Sequence, residues 1–431
     1  MSGAPIIAYC GLTHLGLVSG TAAAAKGFAT ILFDPDPELV ARLERAEMPV
    51  SEPGLDEAFA AGRPRLTITA DPAELARADV VYLAPDVPTD DSGASDLGPV
   101  ERLLAVARPA LRDDAALVVL SQVPPGFTRG IAGIRGPLLY QVETLVFGIA
   151  LQRALQPERY IVGCADPAAP LPPAFQSYLE AFACPILAMR YESAELAKIS
   201  INMCLVASVG VANTMAEICE HVGADWSEIA PSLKLDRRIG AYSYLAPGLG
   251  LAGGNLERDL ATVMRLGAVH GTDTGIVAAW VENSRWRKGW AARTLKARLL
   301  DAEPTARIAV LGLAYKQDTH STRNSPSLAL LAELDGVDLA VHDPVVPASA
   351  SPVAATAGSD AIATLRGADA LCIMTPWAEY KALDPMAIAA AMRGRIVLDP
   401  YRVLDPDRAR AAGLDWITLG VADKPLEKPP C

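Results

Sequence analysis

Residues 5–10, PIIAYC, form an unbroken apolar run, and the six residues after them read GLTHLG. An alanine-rich stretch through Ala22–Ala25 follows, then a second apolar run, ATILFD, ending at Asp34. Strand, glycine turn, helix and strand in that order form a βαβ unit, which commits the region to a parallel sheet with crossover helices. Gly11 permits the tight turn and Gly16 permits close packing of helix on strand, while Thr13 replaces the middle glycine and crowds the approach to a pyrophosphate. Gly11, Thr13, Leu15 and Gly16 are therefore the candidate dinucleotide-binding residues. Asp34 can accept from both ribose hydroxyls and repel a 2′-phosphate, so NAD is expected over NADP. The alternative for Asp34 is a helix N-cap or turn residue within DPDPE. His14 is expected to pack or to face solvent, since the sequence identifies no partner for it.

The same alternation returns late in the chain. Proline and charge in DAEPTARIAVLG mark a linker near Glu303, a strand opens at Arg307–Gly312, and another ends at Asp343–Pro344. The 431 residues leave room for two or three domains. Hydrophobic residues make up 51% of the chain, a composition expected of a soluble globular protein. A net charge of −12 argues against nucleic acid or an acidic membrane as the main partner, so an anionic substrate needs a local basic pocket. No uninterrupted apolar span approaches membrane length, and no charged region precedes an apolar core at the N-terminus. Seven scattered cysteines without a CxxC pair suit a reducing cytoplasm, mostly as small core residues, and no histidine cluster argues for a metal.

Between the two alternating regions the pattern changes. Residues 192–221 carry apolar side chains at helical spacing without proline and read as one long helix. Glu195, Lys198 and Asn202 share one face of it, and an apolar helix gains nothing by burying a lysine unless it meets an anion or a reacting group. A Glu195–Lys198 surface pair is the alternative. PGLGLAGGNLERD at Pro247–Asp259 follows, with four glycines before an amide, a cation and a carboxylate. Such a run suits a loop wrapped against a substrate, or else a mobile surface loop. A second long helix is expected from about Leu256 to Leu300, and the symmetric helical region makes a homodimer the default expectation.

The loop resembles the active-site loop of the UDP-glucose/GDP-mannose dehydrogenase family, P-G-x-G-y-G-G-s-C-f-p-K-D. Pro247, Gly248, Gly250, Gly253 and Asp259 match, whereas Asn255 stands at the cysteine and Arg258 at the lysine. SAELAK is similar to the family's A-E-l-v-K, with Asn202 and Asn213 at its asparagines. The resemblance continues through Met48–Phe59, Ala78–Leu97, Leu117–Thr128, Tyr140–Gly148 and Ala154–Gly163, the last matching the strand that closes the first domain. In these stretches Val87 and Gln122 replace threonines and Phe147 replaces a glutamate, while Glu143 is kept. In the C-terminal region GLAYKQDTHSTRNSP keeps Lys316, Asp318, Thr322, Arg323, Ser325 and Pro326, and Ala368–Asp384 and Arg395–Leu404 match the next two strands.

The resemblance implies an α/β fold of two doubly wound Rossmann-like domains joined by a long central helical segment. The expected division is 1–190 for NAD, 191–300 for the helical dimerisation region with the loop, and 301–431 for the nucleotide-sugar. It implies catalytic places for Lys198, Asn202, Asn255, Asp259, Glu143 and Gln122, with Val87 and Arg323 added to the cofactor set. Glu143, Lys198, Asn202, Arg238, Gly250, Gly253, Lys316 and Arg323 form the implied substrate set; for Arg238, Lys316 and Arg323 the alternative is solvated surface charge. The family oxidises a sugar C6 alcohol twice: one hydride gives an aldehyde, and a cysteine thiolate then carries it through a thiohemiacetal and thioester to the acid. An amide cannot be that nucleophile. The expectation is therefore oxidation limited to, or slowed at, the aldehyde. A non-catalytic NAD and nucleotide-sugar binder, or an epimerase working by transient oxidation, are the alternatives.

Overall fold

The computed structural model describes residues 3–90 and 94–422, so Asp91–Gly93 of the Ala78–Leu97 stretch and Cys431 lie outside the described residues. The chain divides into two compact units, Met1–Ile201 and Asn202–Cys431.

The first unit is built on an eight-stranded sheet in the order β3-β2-β1-β4-β5-β6-β7-β8. The strands are β1 Ile7–Cys10, β2 Thr30–Phe33, β3 Leu66–Thr69, β4 Val80–Leu83, β5 Ala116–Val119, β6 Leu138–Gln141, β7 Tyr160–Cys164 and β8 Ile186–Arg190. The first six run parallel, and β7 reverses against β6. Their residues are buried on both faces because helices cover both sides: Ile7, Tyr9, Val80 and Tyr82 join one core, and Ala8, Cys10, Val81 and Leu83 the other. Contrary to the sequence expectation, β7 does not close the sheet. The edge strand β8 does, pairing parallel to β7. Its residues are half-buried or exposed, so it lacks the apolar signature of a central strand.

The helix Tyr191–Val222 spans 32 residues and ends at Gly223, whose φ of 75° leaves the helical region. By length and composition it is apolar enough to cross a membrane. In the second unit, Ala212, Ala216 and Cys219 of this helix pack on Trp226 and Leu245. The expected helix 256–300 is broken: Asn255–His270 stops at Gly271, Gly275–Lys288 follows, and Trp290–Leu295 passes into a π-helical turn. Gly271 takes φ 66°, the left-handed cap that ends a helix, and GTDTG offers turn residues where the apolar period seemed to continue.

The unit's sheet runs β11-β10-β9-β12-β13-β14, all parallel. Its strands are β9 Arg307–Leu311, β10 Asp338–His342, β11 Thr356–Ala357, β12 Ala370–Ile373, β13 Ile396–Leu398 and β14 Asp415–Ile417. The α/β class with two such sheets and a central helical segment is thus the observed fold.

Candidate active site

In an open parallel sheet, ligands bind outside the carboxyl ends of the strands where the strand order reverses. In the first unit that point lies between β1 and β4. Gly11 leaves β1 there and donates to Phe33 O at 2.9 Å. The helix His14–Ala25 starts three residues later, and Leu15, its second residue, is buried. A side chain at Gly16 would put its Cβ 1.9 Å from Gly11 O, so only glycine lets helix and turn approach so closely. Asp34 follows β2 and is no helix cap, a place taken by Asp36. Its Oδ2 accepts from Leu12 N at 2.8 Å and its Oδ1 from Asp36 N at 3.0 Å. A carboxylate has about four lone-pair sites, which leaves acceptor capacity for a ribose. The turn and Asp34 therefore fit a dinucleotide. Val87, past the end of β4, is half-buried against the sheet's core.

His14 is packed rather than solvent-facing, and it has a partner that the sequence did not identify. It is buried, its Nε2 lies 3.2 Å from Glu52 Oε2, and its ring lies 4.1 Å from that of Phe147. Glu52 also accepts from Gly148 N at 3.0 Å and Ala150 N at 2.6 Å, tying the loop after β6 to the cofactor helix. Nothing in the local sequence spacing reveals a partner 38 residues away.

Asp86 was not among the sequence candidates, although it is the first polar residue after β4. Its N–H donates to Thr13 Oγ1 at 2.8 Å, and its Oδ2 accepts from His14 N at 3.1 Å. Asp86 keeps an exposed surface, yet the protein packed around the carboxyl raises it above the usual range, with Glu143 adding to the rise. His14 and the hydrogen bonds from Thr13 and His14 pull the other way.

The charged face of the long helix resolves into separate partnerships, and the Glu195–Lys198 surface pair does not form. Glu195 is fully buried and accepts from Gly126 N at 2.6 Å and Thr128 N at 2.9 Å. Two charge-assisted bonds of about 1.5–3 kcal/mol each offset much of its desolvation, and they fix the loop that carries Gln122. Lys198 Nζ instead meets Glu143 Oε2 at 3.0 Å, with both side chains largely buried. The pair gives a bound oxygen both a cation and a proton acceptor.

In the second unit the glycine loop is hydrogen-bonded along its length, which favours a held loop over a mobile one. Gly248 N donates to Asn213 Oδ1 and Leu251 N to Ser284 Oγ, both at 2.8 Å. Gly253 N donates to Arg323 O at 3.0 Å, and Asn324 Nδ2 donates to Gly253 O at 2.9 Å. Gly250 sits at φ 76°, where a Cβ would meet Ser284 O at 2.4 Å. Asn255 opens the next helix and is exposed. One turn on, Asp259 is buried between Asn202 Nδ2 at 2.5 Å and Arg258 Nε at 3.3 Å. A buried carboxylate without such partners would cost several kcal/mol, roughly.

The remaining candidates are spread over this unit. Arg323 lies against Gly254, and Lys316 lies 5.7 Å from the ring centroid of Tyr315 in the loop that leaves β9. Arg238 is not drawn to the loop: its guanidinium is highly exposed and bonds Asp236 at 2.6 Å. Past β10, Asp343 repeats the device of Asp34, accepting from Leu313 N at 2.7 Å and Ala314 N at 3.0 Å. Burial opposes its charge, but four backbone N–H groups outweigh that and hold the carboxyl below its usual range.

Among the described residues no His, Cys, Asp and Glu group could hold a metal, and every cysteine is free; Cys10, Cys164, Cys219 and Cys372 are buried and Cys204 is exposed.

The chain matches the NAD binding, central and UDP binding domains of the UDP-glucose/GDP-mannose dehydrogenase family over residues 6–170, 192–285 and 309–406. It is 30% identical to a UDP-glucose 6-dehydrogenase of Pseudomonas aeruginosa, with 95% of this chain and 96% of that protein covered. It is 31% identical to the UDP-glucose 6-dehydrogenase AglM of Haloferax volcanii, covering 95% and 98%. A solved UDP-glucose dehydrogenase from Pyrobaculum islandicum matches with a TM-score of 0.83 at 27% identity, over 95% of this chain and 96% of that one. A nucleotide turn at one switch point, a second parallel sheet with the same Asp device, and matches in the same order along the whole chain leave one conclusion: the chain belongs to the UDP-glucose/GDP-mannose dehydrogenase family of NAD-dependent nucleotide-sugar dehydrogenases.

Proposed function

We propose that this chain oxidises the C6 alcohol of a UDP-glucose-like nucleotide-sugar and releases mainly the aldehyde. Bound NAD supplies the hydride acceptor. Lys198 and Glu143, 3.0 Å apart, are the groups proposed to hold the C6 oxygen and take its proton. Asn202 and Asp259 add a donor and a carboxylate, with Gln122 as a further polar group. Gly250 and Gly253 are assigned to backing the sugar, and Lys316 and Arg323 to the diphosphate. Arg238 is assigned to the substrate only across a dimer interface, since Asp236 occupies it within the chain.

The single observation that carries the aldehyde reading is Asn255. It stands at the first position of a 16-residue helix, where the N-terminal dipole would favour a thiolate. An amide there forms no acyl bond with the sugar, so the acid can arise only from aldehyde hydrate, with Asp259 or Glu143 as base. The test supplies UDP-glucose and NAD and traps the product with a carbonyl reagent before mass analysis. A trapped aldehyde is expected; acid alone, formed at an ordinary turnover rate, contradicts the reading.

We also assign the protein to the cytoplasm and a homodimer, with residues 1–190, 191–300 and 301–431 as its three parts. Free cysteines among the described residues suit the compartment. Val211, Met215, Ile218 and Val222 expose an apolar stripe on successive turns of the long helix, a face suited to a second copy.

A further inference from the structure

The turn after β1 and the chain leaving β4 meet at the first sheet's switch point, and their contact has chemistry of its own. His14 is the first residue of a 12-residue helix, and its N–H is among the donors such a helix leaves without an internal partner. In a dinucleotide-binding βαβ unit these donors receive the pyrophosphate. Here the His14 N–H is engaged by the Asp86 carboxylate at 3.1 Å. The contact is anchored a second time, by the Asp86 N–H on Thr13 Oγ1 at 2.8 Å. Thr13 stands where the middle glycine of the fingerprint would be, so the residue that crowds the pyrophosphate also supplies the clasp for Asp86.

We propose that Asp86 is a built-in competitor for the cofactor's pyrophosphate, held in place by Thr13, and that it sets the affinity for dinucleotides. A carboxylate and a phosphate oxygen are both anionic acceptors, and they cannot share one N–H without mutual repulsion. The carboxylate must leave before the pyrophosphate seats, so apparent affinity falls with the fraction of molecules in which the donor is open. Glu143 adds negative charge near Asp86, whose carboxyl is raised chiefly by burial. The inference concerns binding and does not depend on which product the reaction gives.

The test is calorimetric titration of the full chain with ADP-ribose and, separately, with adenosine, which lacks the phosphates. Asp86→Ser is expected to bind ADP-ribose about tenfold more tightly, the equivalent of one charge-assisted hydrogen bond no longer contested. Adenosine affinity should not change. Thr13→Val, which removes the Oγ1 clasp and keeps the bulk of the turn, should shift ADP-ribose in the same direction, and it carries the test if Asp86→Ser does not fold. Unchanged or weaker ADP-ribose binding in a folded variant overturns the proposal. So does an equal gain for adenosine, because the effect would then lie away from the phosphates, and so does failure of wild type and variants alike to bind ADP-ribose.

Discussion

Asp34 is the side chain we propose serves the fold and the cofactor together. Its carboxylate fixes the glycine turn through Leu12 N, and its remaining lone pairs are proposed to receive a ribose. We expect Asp34→Ala to weaken NAD binding and to narrow its advantage over NADP by roughly tenfold, the value of one hydrogen bond to a charged acceptor. Equal affinity of the unmutated protein for both cofactors would sink the assignment. Asp34, Gly11 and Gly16 were legible in sequence because strand, turn and helix are neighbours along the chain. The Lys198–Glu143 pair was only half legible: spacing singled out Lys198, but the alternative partner, Glu195, was the near one in sequence. Glu195 turns to the backbone of Gly126 and Thr128, contacts set by tertiary packing. Asp86 and Glu52 were missed for the same reason, since each meets its partner across the end of a sheet. The rule that ligands gather beyond the carboxyl ends of strands would have drawn attention to Asp86.

Elements were read well where a single period governs them and badly where turn residues interrupt it. Tyr191–Val222 extends one residue past the expected helix at each end. The stretch after Asn255 kept enough apolar spacing to suggest one helix, yet GTDTG at 271–275 contains the break. The glycine loop presents the converse case: its glycines are compatible with mobility, but Asn213, Ser284 and Arg323 hold it. Gly250 is the point of least tolerance, with a positive φ and Ser284 O in the path of any Cβ. Gly250→Ala should lose about 1–3 kcal/mol of stability, the range for a strained backbone position, measured as a lowered urea midpoint with unchanged slope. A midpoint equal to that of the wild type would show that the loop is not held as described.

At the scale of the whole molecule, assembly and reaction give separate expectations. The stripe Val211, Met215, Ile218 and Val222 should be covered in a dimer, so Val211→Glu with Ile218→Glu is expected to halve the mass seen by light scattering. A monomeric wild type would refute that interface. The centres of the two sheets were legible because both repeat a glycine turn with an aspartate after the second strand. The edge strand β8 was not, because an exposed edge need not be apolar. The reaction depends most on one position. With a thiol at residue 255, each sugar would reduce two NAD molecules and leave a carboxylate. With Asn255 we propose that the first hydride transfer lacks a covalent successor. The decisive measurement is NADH formed per UDP-glucose consumed, with product mass, in the wild type and in Asn255→Cys. We expect a ratio close to one and an aldehyde for the wild type, rising toward two with some acid in Asn255→Cys. A wild-type ratio of two, with carboxylate formed at an ordinary rate, would contradict the proposed chemistry.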